Sequence, residues 1–131
     1  MPLEEIINRQ GIIISAPASG AGKTTVTLGL INAFARERSV QPFKSGPDYI
    51  DSKFQSVAAD RPSYNLDTCA LSSSDILYMI GMVGPSDICF AEGSMGLFDG
   101  VISKGAGGNG STADLASITN WPVILVVDCA K

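Results

Sequence analysis

The stretch Gly11-Ile12-Ile13-Ile14-Ser15-Ala16-Pro17-Ala18-Ser19-Gly20-Ala21-Gly22-Lys23-Thr24-Thr25 joins an aliphatic run to a glycine-rich turn, a lysine and two hydroxyls. The run is short, β-branched and bounded by a turn, as a buried strand is. Gly20 and Gly22 allow a turn tight enough for backbone amides to converge on an anion. Lys23 then reaches the outer phosphates of a nucleotide, and the Thr24 hydroxyl is placed for Mg²⁺. The helix that follows adds the positive end of its dipole. Ser19, Gly20, Ala21, Gly22, Lys23, Thr24 and Thr25 are therefore the expected nucleotide-binding residues. The usual spacing, G-x-x-x-x-G-K-[ST], puts a glycine where this chain has Pro17.

Composition suits a small enzyme domain. The 131 residues make one domain by length, and 45% hydrophobic residues suffice for a core. A net charge of −4 with no basic cluster argues against a nucleic-acid partner. No apolar run approaches the ~20 residues of a membrane span. Glu4 and Glu5 stand where a signal peptide would be cationic, so a cytoplasmic location is expected. The cysteines are Cys69, Cys89 and Cys129. Cys89 and Cys129 lie in or beside aliphatic strands and read as reduced core residues. No metal-ligand spacing is present. Histidine is absent, which removes Ser-His-Asp and Cys-His hydrolase mechanisms.

Apolar runs alternate with helical patterns along the chain. Strands are expected over residues 11–16, 40–44, 88–92 and 123–128, and helices over 24–38, 52–59, 73–82 and 111–119. Ser111 followed by Asp114 has the form of a capping box. Near-continuous aliphatic strands separated by helices imply an α/β fold, a mostly parallel sheet with helices on both faces in three layers. Ligands of such sheets bind beyond the carboxyl ends of the strands, where Lys44, Glu92 and Asp128 fall. Residues 1–10 read as an amphipathic lead-in without chemistry.

Two further segments carry charge on turns. Pro42-Phe43-Lys44-Ser45-Gly46-Pro47-Asp48-Tyr49-Ile50-Asp51 holds a lysine and two aspartates. Asp48 is placed to join Thr24 around Mg²⁺, which takes one or two carboxylates plus phosphate oxygens and water. Asp51 serves equally as a cap of the next helix. Residues 93–110 are 18 residues with seven glycines, and loops of that length in a compact domain are functional or disordered. Its first part, Glu92-Gly93-Ser94-Met95-Gly96-Leu97-Phe98-Asp99-Gly100, reads as a site loop. The second half reads as mobile until a ligand arrives.

The phosphate loop, the segment 42–51, Asn65-Leu66-Asp67-Thr68, the segment 92–100 and Gly110-Ser111-Thr112-Ala113 follow the order seen in cobyrinic acid a,c-diamide synthases. The chain resembles that CobB/CbiA family from about Ile12 to Asp128, and Gly-Pro-Asp-Tyr-Ile-Asp and Gly-Leu-Phe-Asp-Gly are its specific marks. The resemblance implies a P-loop NTPase-like fold and an amidoligase of cobalamin biosynthesis. Such an enzyme uses ATP and Mg²⁺ to activate two acetate side chains of a corrin, which ammonia from glutamine then amidates. It further implies catalytic roles for Lys23, Lys44, Asp48, Glu92 and Asp99, Mg²⁺ contacts from Thr24, Asp48 and Glu92, and substrate contacts from Tyr49, Asp51 and Asp99.

Members of that family carry a C-terminal glutaminase with a nucleophilic cysteine and a histidine. Residues 1–131 are accordingly expected to be the front of the synthetase domain, binding ATP weakly and hydrolysing no glutamine. A hydrophobic strand near the end of such a chain favours self-association, a homo-oligomer included. Three relatives in chemistry stay open: a dethiobiotin synthetase-like ligase, a nickel-tetrapyrrole diamide synthase and a ParA/MinD-type switch ATPase. The last places a second lysine five residues before the loop lysine, where this chain has Ala18.

Overall fold

The computed structural model of the chain describes residues 9–130. Strands and helices alternate strictly: β1 Gly11–Ser15, α1 Lys23–Ala35, β2 Val40–Ser45, α2 Asp51–Ala59, β3 Tyr64–Leu66, α3 Ser73–Met82, β4 Ile88–Glu92, α4 Thr112–Thr119 and β5 Val123–Leu125. The five strands form one sheet in the order β3-β2-β4-β1-β5, every neighbouring pair parallel. The amphipathic lead-in expected over residues 1–10 falls almost wholly outside the described residues.

Side-chain alternation along the strands builds two cores. Ile13, Phe43, Cys89 and Ala91 face Ile76 and Ile80 of α3, Leu115 of α4 and Trp121. Ile14, Val40 and Phe90 face the other way, against Ile31 of α1 and Ala59 of α2. Helices therefore cover both faces, giving the three layers expected of buried parallel strands. The Trp121 ring lies so close over Gly11 that a Cβ there would stand 2.4 Å from it.

The register sets the site. Ile14 and Lys44 both pair with Glu92, so the carboxyl ends of β1, β2 and β4 finish level. Pro42, which has no N–H to give, stands one residue before the β3 ladder begins at Phe43.

Several sequence expectations change. β3 was unforeseen, because Tyr64-Asn65-Leu66 carries neither an aliphatic run nor a long alternation. The last strand stops at Leu125, short of residue 128, and Cys129 is exposed rather than in the core. The second half of the glycine-rich loop, expected to be mobile, is bonded in place. Ala106 and Gly107 N–H groups donate to the Cys69 and Thr68 carbonyls at 3.0 and 2.8 Å, and Gly110 N–H donates to Thr68 Oγ1 at 3.0 Å. Its glycines permit this approach: a Cβ at Gly105 would collide with the Cys69 carbonyl. At α4, Ser111 Oγ accepts from Asp114 N–H, but the Asp114 carboxylate turns back to Asn109 N–H. The reciprocal capping box forms instead at Ser72 and Asp75 of α3.

Candidate active site

The turn between β1 and α1 is built as its glycines require. Gly20 and Gly22 hold φ of 83° and 88°, where a side chain would be strained, and a Cβ at either would meet no atom within 4 Å. Pro17 is not among the left-handed residues, so its departure from the usual spacing costs the turn nothing. Gly22 starts α1 without a side-chain cap, leaving the helix terminus open toward an anion. Ser19 and Thr25 lie exposed beside it, with Ala21 half-buried.

Lys23 Nζ donates to the Met95 carbonyl at 3.1 Å, bridging this turn to the glycine-rich loop. Burial, and then the nearby Lys44 ammonium, lowers the Lys23 pKa against the opposing pull of Glu92, Asp51 and Asp48. An ammonium held in that condition gains from an anion placed beside it.

Beneath the turn lies a buried polar cluster. Glu92, at the end of β4, is fully buried, and both its oxygens are bonded: Oε1 accepts from Thr24 Oγ1 and Oε2 from Gln55 Nε2, each at 2.7 Å. Lys44, at the matching position of β2, is 3% exposed and donates to the Gly93 carbonyl at 2.9 Å. Its Nζ lies 3.5 Å from Asp51 Oδ2, 3.9 Å from Glu92 Oε1 and 4.0 Å from Asp48 Oδ2. Lys44 thus stands among three carboxylates at the level where the strands end.

Asp48 does the local work anticipated for Asp51. Its Oδ1 accepts from Ile50 and Asp51 N–H at 2.9 and 3.1 Å, fixing the start of α2 and turning Asp51 toward Lys44. Burial would raise the Asp48 carboxyl, but those amides and Lys44 outweigh it and hold the pKa below the ordinary value. Asn65 ties β3 to the same turn, Nδ2 donating to the Gly46 and Asp48 carbonyls at 2.7 Å.

Lys23, Thr24, Lys44, Asp48, Asp51 and Glu92 therefore come together. Asp99 and Tyr49 do not join them. Asp99 accepts from Gly96 N–H at 2.9 Å and lines a neighbouring cleft, and the Tyr49 side chain points to solvent at 76% exposure. Sequence reading missed Gln55, which no motif marks; a glutamine at an inward position of an amphipathic helix was its only signal. It also missed the carbonyls of Gly93 and Met95, which side-chain motifs cannot reveal.

The donors nearest the phosphate turn are one hydroxyl and carboxylates, all hard oxygen ligands of the kind Mg²⁺ takes. Among the described residues no three His, Cys, Asp or Glu side chains make a metal cage. Lys44 occupies the middle of the acidic group, so a metal here would draw the rest of its shell from phosphate and water. With that limit, the residues fit the ion. No helix among the described residues is long and apolar enough to cross a membrane.

A family described as the CobQ/CobB/MinD/ParA nucleotide binding domain matches residues 12–120. Hydrogenobyrinate a,c-diamide synthase of Rhodobacter capsulatus is 48% identical over 120 residues, covering 91% of this chain and 28% of that protein. The Brucella ovis protein of the same name is 47% identical over 125 residues, covering 93% and 28%. That of Mycobacterium bovis is 48% identical over 122 residues, covering 89% and 26%. The chain thus spans about 28% of the length of the first two. No solved structure matches.

Proposed function

We propose, since the chain belongs to the CobQ/CobB/MinD/ParA nucleotide binding domain family, that it supplies the ATP-binding part of an amidoligase of cobalamin biosynthesis. The substrate would be a corrin carboxylate of the hydrogenobyrinate or cobyrinate kind, with glutamine-derived ammonia as nitrogen donor. The observation that carries this reading is the convergence of Lys44 and Glu92, at the level ends of β2 and β4, with Lys23 and Thr24 at the start of α1, beside an open, glycine-built turn.

In this reading a substrate carboxylate oxygen takes the γ-phosphoryl group as the bond to ADP breaks. Ammonia then attacks the acyl carbon, phosphate leaves and a proton is lost. Such a transfer asks the protein for position and charge more than for covalent chemistry. Ser19 to Thr25 cradle the phosphates, and Lys23 leaves the Met95 carbonyl to neutralise the transferring group. Lys44, buried and matched by three carboxylates, holds Asp48, Asp51 and Glu92 in place beside the turn. Thr24, Asp48 and Glu92 would hold Mg²⁺, which when bound neutralises charge on the phosphate oxygens. Asp51 positions Lys44. Tyr49 and Asp99, outside the cluster, are left to the substrate.

The test assays the protein that carries this chain, with ATP, Mg²⁺, glutamine and hydrogenobyrinate. Mono- and diamide products are expected, falling at least a hundredfold in Lys23→Ala. ATP hydrolysis that ignores the macrocycle would instead fit a switch ATPase. The 131 residues by themselves are expected to hydrolyse no glutamine.

A further inference from the structure

Beside the phosphate turn lies a cleft of about 690 Å³, to which the chemistry above assigns only Asp99. Gly46 and Pro47 line it from the β2–α2 turn, Asp67 and Cys69 from the segment after β3, and residues 94–95 and 98–101 with Asn109 and Gly110 from the glycine-rich loop. The backbone of that wall is held in place. Leu97 N–H donates to the Ala16 carbonyl and Val101 N–H to the Asn109 carbonyl, at 2.9 and 2.8 Å. A Cβ on Gly96 or Gly100 would strike Pro17 or Asn109. Yet the wall leaves Met95, Phe98 and Val101 uncovered, at 61%, 78% and 52% exposure. Large apolar side chains on a pinned loop, lining a concavity, mark a surface built to be covered.

Charge divides the cleft's surroundings. Asp67 and Asp99 place carboxylates in it, each with one oxygen held by a backbone N–H, of Cys69 and Gly96. The ammonium of Lys23, outside the lining itself, lies on the carbonyl of Met95, which is part of it. A flat apolar ring bearing acidic arms would be repelled by the aspartates and drawn to the lysine.

We infer that this cleft seats the flat face of the tetrapyrrole macrocycle against Phe98, Met95 and Val101, with the two aspartates turning its acidic arms toward Lys23. The inference rests on the proposed function for the class of ligand. Phe98 is its specificity-determining residue, and an exposed side chain can be exchanged without disturbing the core.

Hydrogenobyrinate, followed by its visible absorption, is titrated with the chain. Parallel titrations use Phe98→Ala, Phe98→Trp and Tyr78→Ala, the last an exposed aromatic of α3 outside the cleft. Loss of the Phe98 contact is expected to weaken binding roughly tenfold or more, with Phe98→Trp restoring it and Tyr78→Ala unchanged. ATP affinity should stay the same in Phe98→Ala. Macrocycle binding that ignores Phe98→Ala, or falls equally in Tyr78→Ala, overturns the cleft and leaves the proposed function standing. No macrocycle binding by an unaltered chain that still binds ATP likewise overturns the cleft, whereas loss of ATP binding itself would count against the proposed function.

Discussion

Lys44 is the residue on which the buried cluster depends. Lys44 is 3% exposed, and its ammonium answers the charges of Glu92, Asp51 and Asp48 and donates a hydrogen bond to the Gly93 carbonyl. Removing one partner of such a group leaves buried charge uncompensated, which outweighs the modest net worth of any single pair. Lys44→Met, close in length, should therefore lower stability by about 3–5 kcal/mol. Urea unfolding followed by the sole tryptophan, Trp121, measures it. A loss below about 1 kcal/mol would mean that the carboxylates do not need this cation. At this scale the sequence was legible where chemistry sits on side chains in a motif. Lys23, Thr24 and Glu92 could be named because a strand, a turn and a helix start dictate their places. Gln55 could not, since its partner lies 37 positions away in the chain and is brought near only because α2 packs on β2, whose neighbour in the sheet is β4.

Elements were legible in proportion to their hydrophobic pattern. β1 is an aliphatic run, β4 an apolar one and β2 is marked by Val40 and Phe43, whereas β3 holds three residues at a sheet edge with Asn65 at its middle. Its strand character comes from pairing with β2 and from Asn65 bonding the β2–α2 turn, neither of which is a local signal. The glycine-rich loop misled for a related reason. Glycines read as freedom in a sequence, but here they let backbone approach backbone, and the loop is bonded to the segment 68–69. The contact between β4 and α4 tests this view of close approach. A Cβ at Gly93 would lie 2.5 Å from Thr112 Oγ1 and 2.8 Å from its Cγ2. Gly93→Ala is expected to cost about 1–3 kcal/mol, as overpacked sites do. Adding Thr112→Ala removes both clashing atoms and should recover part of that loss in a double-mutant cycle. Strictly additive losses would show that the two positions do not press on each other.

On the scale of the whole molecule, the sheet puts its chemistry at one end and leaves β5 as an edge. Ile124 and Leu125 are 42% and 46% exposed along it, and Val127, just past its end, 56%. β5 pairs only with β1 among the described residues. An apolar strand edge of this kind invites pairing with another chain. The 131 residues should therefore self-associate as concentration rises, with Leu125→Lys reducing the effect. Light scattering across a dilution series reads this out, and a clean monomer throughout would contradict it. The fold class was legible because alternating aliphatic runs and helices admit few arrangements, but the order β3-β2-β4-β1-β5 was not, since no local pattern states which strands are neighbours. The central claim is that the turn from Ser19 to Thr25 grips the phosphates of a nucleotide through Lys23. Isothermal titration of ATP with Mg²⁺ into the chain measures that grip, with Lys23→Ala and the exposed Lys104→Ala titrated alongside. Weak binding is expected in the unaltered chain and in Lys104→Ala, and a loss of at least tenfold in Lys23→Ala. Equal affinity in all three, or no heat of binding in the unaltered chain at millimolar ATP, would contradict it.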